Sequence, residues 1–246
     1  MTITAGQLEM KREKPRSLPV SLSYRAARLG RRVLGGERML RFFLNGSRLL
    51  WQFGFELSGE IYDKGFHNQT KALSEEFLSR WIPENGSVID IGCGPGRWCE
   101  VAAKYATSVV GIDNDASLIR WAREESGADN IEYIVGDITR DLGNRTFDLA
   151  LLTHVIEHFD DAGVLLRDIC RITEKLIVEV PDFENDPLNW VRMRQGCHFY
   201  TDADHVREYT LDTLTEQVEN NGWRVIDSRK SGGSVLVLAE RSSGER

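Results

Sequence analysis

The 246 residues are 41% hydrophobic and 28% charged, the balance of a soluble globular chain long enough for one large domain with an appendage. A net charge of −7 excludes bulk affinity for nucleic acid, yet residues 1–50 hold 11 Lys/Arg against 3 Asp/Glu, so a net of +8 there stands against −15 in the remainder. Four cysteines without a CxxC pair exclude a disulfide framework and a structural zinc site, and point to reduced thiols in a cytosolic protein.

In chain order, residues 1–20 combine Lys11, Arg12, Lys14 and Arg16 with prolines and read as a flexible basic arm without a secretory signal. In residues 21–66, apolar positions interleave with arginines at helical spacing. Breaks at Gly35-Gly36 and Asn45-Gly46 predict two short basic amphipathic helices, a lid or cap. The apolar run from Phe42 to Phe55 contains Asn45, Arg48 and Gln52 and is too short and polar to span a bilayer. Such helices can pack on a domain with their arginines solvated, or offer a surface to an anionic substrate or peripherally to an anionic membrane.

From His67 the pattern becomes regular. A helix to Trp81 is followed by strands at 87–91, 109–113, 131–137, 147–153 and 175–180. Helices over 97–106, 116–126 and 160–172 separate them. Residues 181–210 form a long connection, read as an insertion on the substrate side of a domain spanning 67–246. A helix over 211–221 and two strands joined by Gly232-Gly233 close the chain. The fold class is α/β: a doubly wound, mostly parallel seven-stranded sheet with an antiparallel C-terminal strand pair, plus an N-terminal helical extension.

The stretch VIDIGCGPGRW carries the chemistry. Strand residues 88–91 lead into Gly92, Gly94 and Gly96, and a helix begins just beyond. The third glycine arrives one residue too early for a GxGxxG dinucleotide loop, and no GKS or GKT makes it a phosphate-binding P-loop. Asp90 interrupts the first strand, where an unpartnered carboxylate would be costly. Asp113 ends the second strand, 17 residues after Gly96, placed to accept ribose hydroxyls, and Gly136-Asp137 ends the third. Three carboxylates at one sheet edge repel a phosphate and suit a cationic, phosphate-free nucleoside.

These motifs resemble the class I S-adenosylmethionine-dependent methyltransferases. VIDIGCGPGRW is similar to their first motif, VVGIDND to the second-strand acidic motif, GDI to the adenine-side motif and FDLALLTHVIEHFDD to the fourth-strand motif. The resemblance implies S-adenosylmethionine as cofactor. The methionine part would lie on Asp90, Gly92, Cys93, Gly94 and Gly96, the ribose on Asp113 with Asn114, and the adenine on Asp137 and Ile138, with Thr153 at the end of the fourth strand.

Beyond that strand stand His154, Glu157 and His158, and in the long connection His198, Asp204, His205, Arg207, Glu208 and Tyr209. Phe183, Trp190, Phe199 and Tyr200 could wall an apolar pocket there. A hydroxyl acceptor needs a base or a metal, so His205, His158 and His154 are the candidate catalytic residues. Glu157-His158 can also serve only to pin its loop. The region further resembles ubiquinone-pathway O-methyltransferases and small-RNA 2′-O-methyltransferases, which carry an ExxEH cluster on a divalent metal. Here HxxEH (154–158) and DHVREYT (204–210) take its place, so His154, Glu157, His158 and His205 are the candidate ligands, with His154 favouring softer ions than magnesium.

The resulting expectation is O-methylation of a small molecule, sugar or glycan, or lipid-linked hydroxyl. The alternatives are metal-assisted methylation of RNA ribose, which the acidic body disfavours, and a binding module that keeps the fold without catalysis. Oligomeric state has no sequence signature here.

Overall fold

The computed structural model describes residues 18–61 and 74–242. The arm at 1–17 and the first part of the helix expected from His67 lie outside the described residues.

The chain divides into two units, one of Met1–Asn68 with Asp186–Phe199 and the other of Gln69–Asn185 with Tyr200–Arg246. In the first, α1 (Leu18–Leu34) and α2 (Gly36–Ile61) are separated at Gly35, whose φ of 83° suits glycine. The second expected break is absent. Asn45-Gly46 lies inside the 26-residue α2, because the apolar spacing runs through it unchanged and outweighs a glycine penalty of about 1 kcal/mol. The Ser47 hydroxyl donates to the Leu44 carbonyl at 2.9 Å within that turn.

In the second unit a helix α3 is described over 74–81. It precedes β1 (Ser87–Ile91), α4 (Arg97–Ala102), β2 (Ser108–Asp113), α5 (Ala116–Glu125), β3 (Ile131–Val135) and β4 (Leu149–Thr153). A 3-10 turn (Ile156–His158), α6 (Ala162–Ile169), β5 (Lys175–Pro181) and a second 3-10 turn (Phe183–Asn185) follow. The long connection read as a substrate-side insertion then contains a helix, α7 (Leu188–Gln195), which belongs to the first unit and ends at Gly196. Its alternation of Arg and apolar residues gives little amphipathic signal, which is why periodicity misses it. The chain closes with α8 (Leu211–Glu219), β6 (Trp223–Ser231) and β7 (Ser234–Arg241). Helix α4 stops four residues before its expected end. There Lys104 and Tyr105 N–H groups donate to Val101 and Ala102 carbonyls, tightening the last turn.

The seven strands lie in the order β3-β2-β1-β4-β5-β7-β6. The first five are parallel, and β7 inserts antiparallel between β5 and β6. Alternation along each strand builds a core on both faces. On one face Ile89, Ile91, Ile112, Leu152 and Val178 pack under α6 and α8. On the other Val88, Val109, Leu149, Leu151 and Ile177 pack under α3, α4 and α5. Trp223 is fully buried with its indole N–H donating to the Leu166 carbonyl at 3.0 Å, tying β6 to α6. The strand order reverses between β1 and β4, and the crevice at their C-terminal ends is where such sheets bind ligands.

Candidate active site

A cavity of about 370 Å³ opens at that crevice, within the size range of ligand pockets. Ile91, Gly92, Ile112, Asp113, Asn114, Asp137 and Ile138 line one side, and His154, Val155, His158, Phe159, Val164 and Leu165 the other. Its charged lining groups among the described residues are Asp113, Asp137, Asp161 and Asp168, with no described lysine or arginine beside them. Such an acidic lining favours a positively charged ligand over a phosphate.

The glycine loop shapes the floor. Gly92, Gly94 and Gly96 have φ of 69°, 51° and 81°. A Cβ on Gly92 would stand 2.5 Å from Val155 Cγ2, and one on Gly96 would strike the Tyr133 hydroxyl. Gly92→Ala therefore combines a disfavoured backbone conformation with a clash against the opposite wall. It is expected to cost about 1–3 kcal/mol of stability and to weaken binding of the expected cofactor about tenfold or more, measured by thermal melts and calorimetry. Wild-type values in both measurements would refute the close fit of loop and wall.

Asp113 is a clamp as well as a lining residue. Its Oδ2 accepts from the Gly94 N–H and its Oδ1 from the Asp115 N–H, each at 2.8 Å. Asp137 accepts from the Thr139 N–H at 2.8 Å and from the Thr139 hydroxyl, and these bonds hold its pKa below the usual carboxylate value. Thr139 also lines the cavity, a residue that sequence reasoning passed over although Asp-x-Thr is a recognisable turn pattern.

Other loop residues stand behind the pocket. Asp90 was expected to share the crevice with Asp113 and Asp137, but it is fully buried and does not line the cavity. Its Oδ2 accepts from the Cys99 thiol at 3.3 Å, while Oδ1 has no hydrogen-bond partner among the described residues. Burial is the main reason its pKa rises to about 7; the Cys99 hydrogen bond opposes the shift and the nearby Asp113 charge adds to it. The Cys99 thiol is pushed up in turn, first by its hydrogen bond with Cys93 and then by burial, so it stays protonated as the donor. Cys93 and Thr153 are buried, and neither they nor Gly94 and Gly96 line the cavity.

On the opposite wall the chain leaves β4 through His154, whose φ of 55° is unusual for a side chain of that size and marks a constrained position. The His154 N–H donates to the Glu179 carbonyl at 2.8 Å, and its ring lies between two buried carboxylates. Nδ1 is 3.3 Å from Glu157 Oε1, and Nε2 is 3.9 Å from Glu179 Oε1. Glu179, which also accepts from the Ser74 hydroxyl at 2.6 Å, was legible as a carboxylate inside the apolar run KLIVEVP, the same cue that marked Asp90.

The segment DHVREYT is docked on the 3-10 turn. Val206 and Arg207 N–H groups donate to the Glu157 carbonyl at 2.9 and 3.2 Å, which brings His205 against His158 with ring centroids 4.8 Å apart, edge to face. His158 Nδ1 lies 3.4 Å from Asp204, and His205 Nδ1 lies 3.0 Å from both Glu208 Oε1 and the Thr201 hydroxyl. Burial disfavours a charged His205 ring, but the Glu208 hydrogen bond, with Glu157 and Asp202 nearby, outweighs this and raises its pKa. His158 and His154 line the cavity, whereas His205 stands behind His158. His198, Trp190 and Phe199 belong to the helical unit, and Phe183 and Tyr200 to the sheet unit.

Glu157 is 1% exposed, and neither carboxylate oxygen has a hydrogen-bond partner among the described residues. A buried carboxylate of that kind calls for a counter-charge, which the His154 ring 3.3 Å away supplies only when protonated. Glu157, His158 and His205 each bring a ligand atom within 4.8 Å of the others, so the donor set fits a divalent ion of borderline softness. His154 is outside this triad.

Comparison with known proteins agrees with this geometry. The family described as methyltransferase domain matches residues 66–228. A ubiquinone biosynthesis O-methyltransferase from a Bradyrhizobium species is 37% identical over 81 residues, covering 32% of this chain and 32% of that protein. The (S)-coclaurine N-methyltransferase of Thalictrum flavum subsp. glaucum is 36% identical over 104 residues, covering 40% and 29%. The chain thus spans about a third of the length of these relatives. The solved magnesium protoporphyrin IX methyltransferase of Synechocystis PCC 6803, with bound S-adenosylhomocysteine, shares the fold at a TM-score of 0.56 and 14% identity, covering 84% of this chain and all of that one. The carboxylate-edged glycine-loop cavity and the matched domain agree: the chain belongs to the S-adenosylmethionine-dependent methyltransferases, with S-adenosylmethionine as its cofactor.

Proposed function

We propose that the chain methylates a hydroxyl group of a small-molecule, glycan or lipid-linked acceptor. Methyl transfer from a sulfonium needs two reactants aligned and, for a hydroxyl, a route for its proton. An amine acceptor needs only to arrive neutral. The observation that carries the reading is the paired His158 and His205 over the orphaned Glu157 at the wall of the cofactor cavity.

In this reading His158 accepts the acceptor's proton. Asp204 beside Nδ1 supports the cation that forms and leaves Nε2 as the nitrogen that takes the proton. His205 positions His158 and is itself oriented by Glu208 and Thr201. With a divalent ion bound, Glu157, His158 and His205 would hold it, His158 would serve as ligand in place of base, and the ion would lower the pKa of the acceptor hydroxyl.

His158→Ala is expected to reduce methyl transfer about 10²-fold or more while S-adenosylhomocysteine affinity stays within a few-fold of wild type. The assay follows labelled methyl from S-adenosylmethionine into the lipid and water-soluble fractions of a cell extract, with the linkage read by mass spectrometry. A methyl ether supports the reading. A methylamine or C-methyl product, or full turnover in the variant, refutes it.

A further inference from the structure

The helical unit carries a surface that methyl transfer does not explain. On α2, Phe43, Leu50, Leu57 and Ile61 recur at helical spacing and are between 49% and 73% exposed. Phe42, Leu49 and Phe53 widen the same stripe, all of them exposed. The opposite side of the helix is occupied. Leu44 is buried, Arg41 donates to Gln195 of α7 at 3.4 Å, and Ser47 accepts from the Arg192 guanidinium at 3.4 Å. Helix α7 therefore covers the polar side of α2, and no described element covers its apolar side.

Helix α1 repeats the pattern. Leu29 and Val33 are exposed one turn apart, interleaved with the exposed Arg25, Arg28, Arg31 and Arg32. A Cβ on Gly30 would strike the Met39 side chain, so the two helices meet at that glycine.

We infer that α1 and α2 dock the protein on the anionic lipid surface of a membrane, lying in the interface plane with the Phe43–Leu50–Leu57–Ile61 stripe in the acyl boundary and the arginines among the headgroups. Charge selects this occupant. Residues 1–50 carry a net of +8, which complements an anionic leaflet and opposes pairing of two copies through this surface. No described helix is long and apolar enough to cross a membrane, so the contact is one of lying on the surface. The inference stands apart from the acceptor chemistry proposed above.

The test is flotation of the full chain with phosphatidylcholine vesicles, with and without phosphatidylglycerol. The wild-type chain is expected to float with the anionic vesicles and to be released by added salt. Leu50→Ser with Phe53→Ser, and separately Arg28→Glu with Arg32→Glu, should each reduce that binding about tenfold or more, with S-adenosylhomocysteine affinity and molecular mass in solution unchanged. Absence of flotation, equal binding to neutral vesicles, or both variants binding as wild type would overturn the inference. So would a dimer that the serine substitutions dissociate, or RNA retained in place of lipid.

Discussion

Asp113→Ala is expected to weaken S-adenosylhomocysteine binding about 100-fold or more and to lower the melting temperature of the ligand-free protein. Both effects arise from one carboxylate. Its oxygens accept 2.8 Å bonds from the Gly94 and Asp115 N–H groups, fixing the turn of the glycine loop and the start of α5 while the same side chain lines the cavity. Each hydrogen bond to a charged acceptor contributes about 1.5–3 kcal/mol, so losing the loop clamp together with the ribose contacts expected of this carboxylate amounts to about 100-fold or more. Asp113→Asn keeps one acceptor but presents an NH₂ where an N–H must be accepted, and should fall between the two. Calorimetric affinity of the alanine variant within threefold of wild type would remove Asp113 from the ribose site.

The second large effect is on stability and depends on pH. Asp90 is fully buried and its pKa is raised to about 7, against an ordinary carboxylate value in the unfolded chain. Below about pH 4 it is protonated in both states and its burial carries no ionisation cost. As pH rises from about 4 to 7 the unfolded state releases the proton first, so this contribution to stability is lost across that window and levels off above it. Between pH 5 and pH 8 the loss is about 2–3 kcal/mol. Asp90→Asn has no ionisation to suppress, so its melting temperature relative to wild type should climb by several degrees from pH 5 to pH 8. Parallel melting curves for the two proteins over that range would show that Asp90 is ionised in the fold.

The two aspartates also show how far a sequence can be read. Asp90 and Asp113 look alike in it: each is a carboxylate near the end of an apolar strand beside the glycine loop. The fold separates them. Strand β1 lies centrally, between β2 and β4, and Asp90 is sealed at 0% exposure with a cysteine as its donor, while Asp113 meets the cavity. Likewise, HxxEH spaces His154 and His158 four residues apart, yet no helix joins them: His154 is left-handed and only Ile156–His158 form a 3-10 turn. The partner of His158 proves to be His205, 47 residues later, brought there by backbone bonds to the Glu157 carbonyl.

The sequence by itself determined the strand–helix alternation, the glycine loop and the strand-end acids Asp113 and Asp137, because periodicity, positive-φ glycines and strand-end acids are properties of near neighbours. Only the tertiary structure decided that Asp90 is sealed away from the cavity, that β7 runs between β5 and β6, that α2 continues through Asn45-Gly46, that residues 186–199 join the N-terminal helices, and that Glu157 is buried with no hydrogen-bond partner among the described residues. Burial, pairing and pKa are set by which distant segments meet, and local sequence patterns do not encode that.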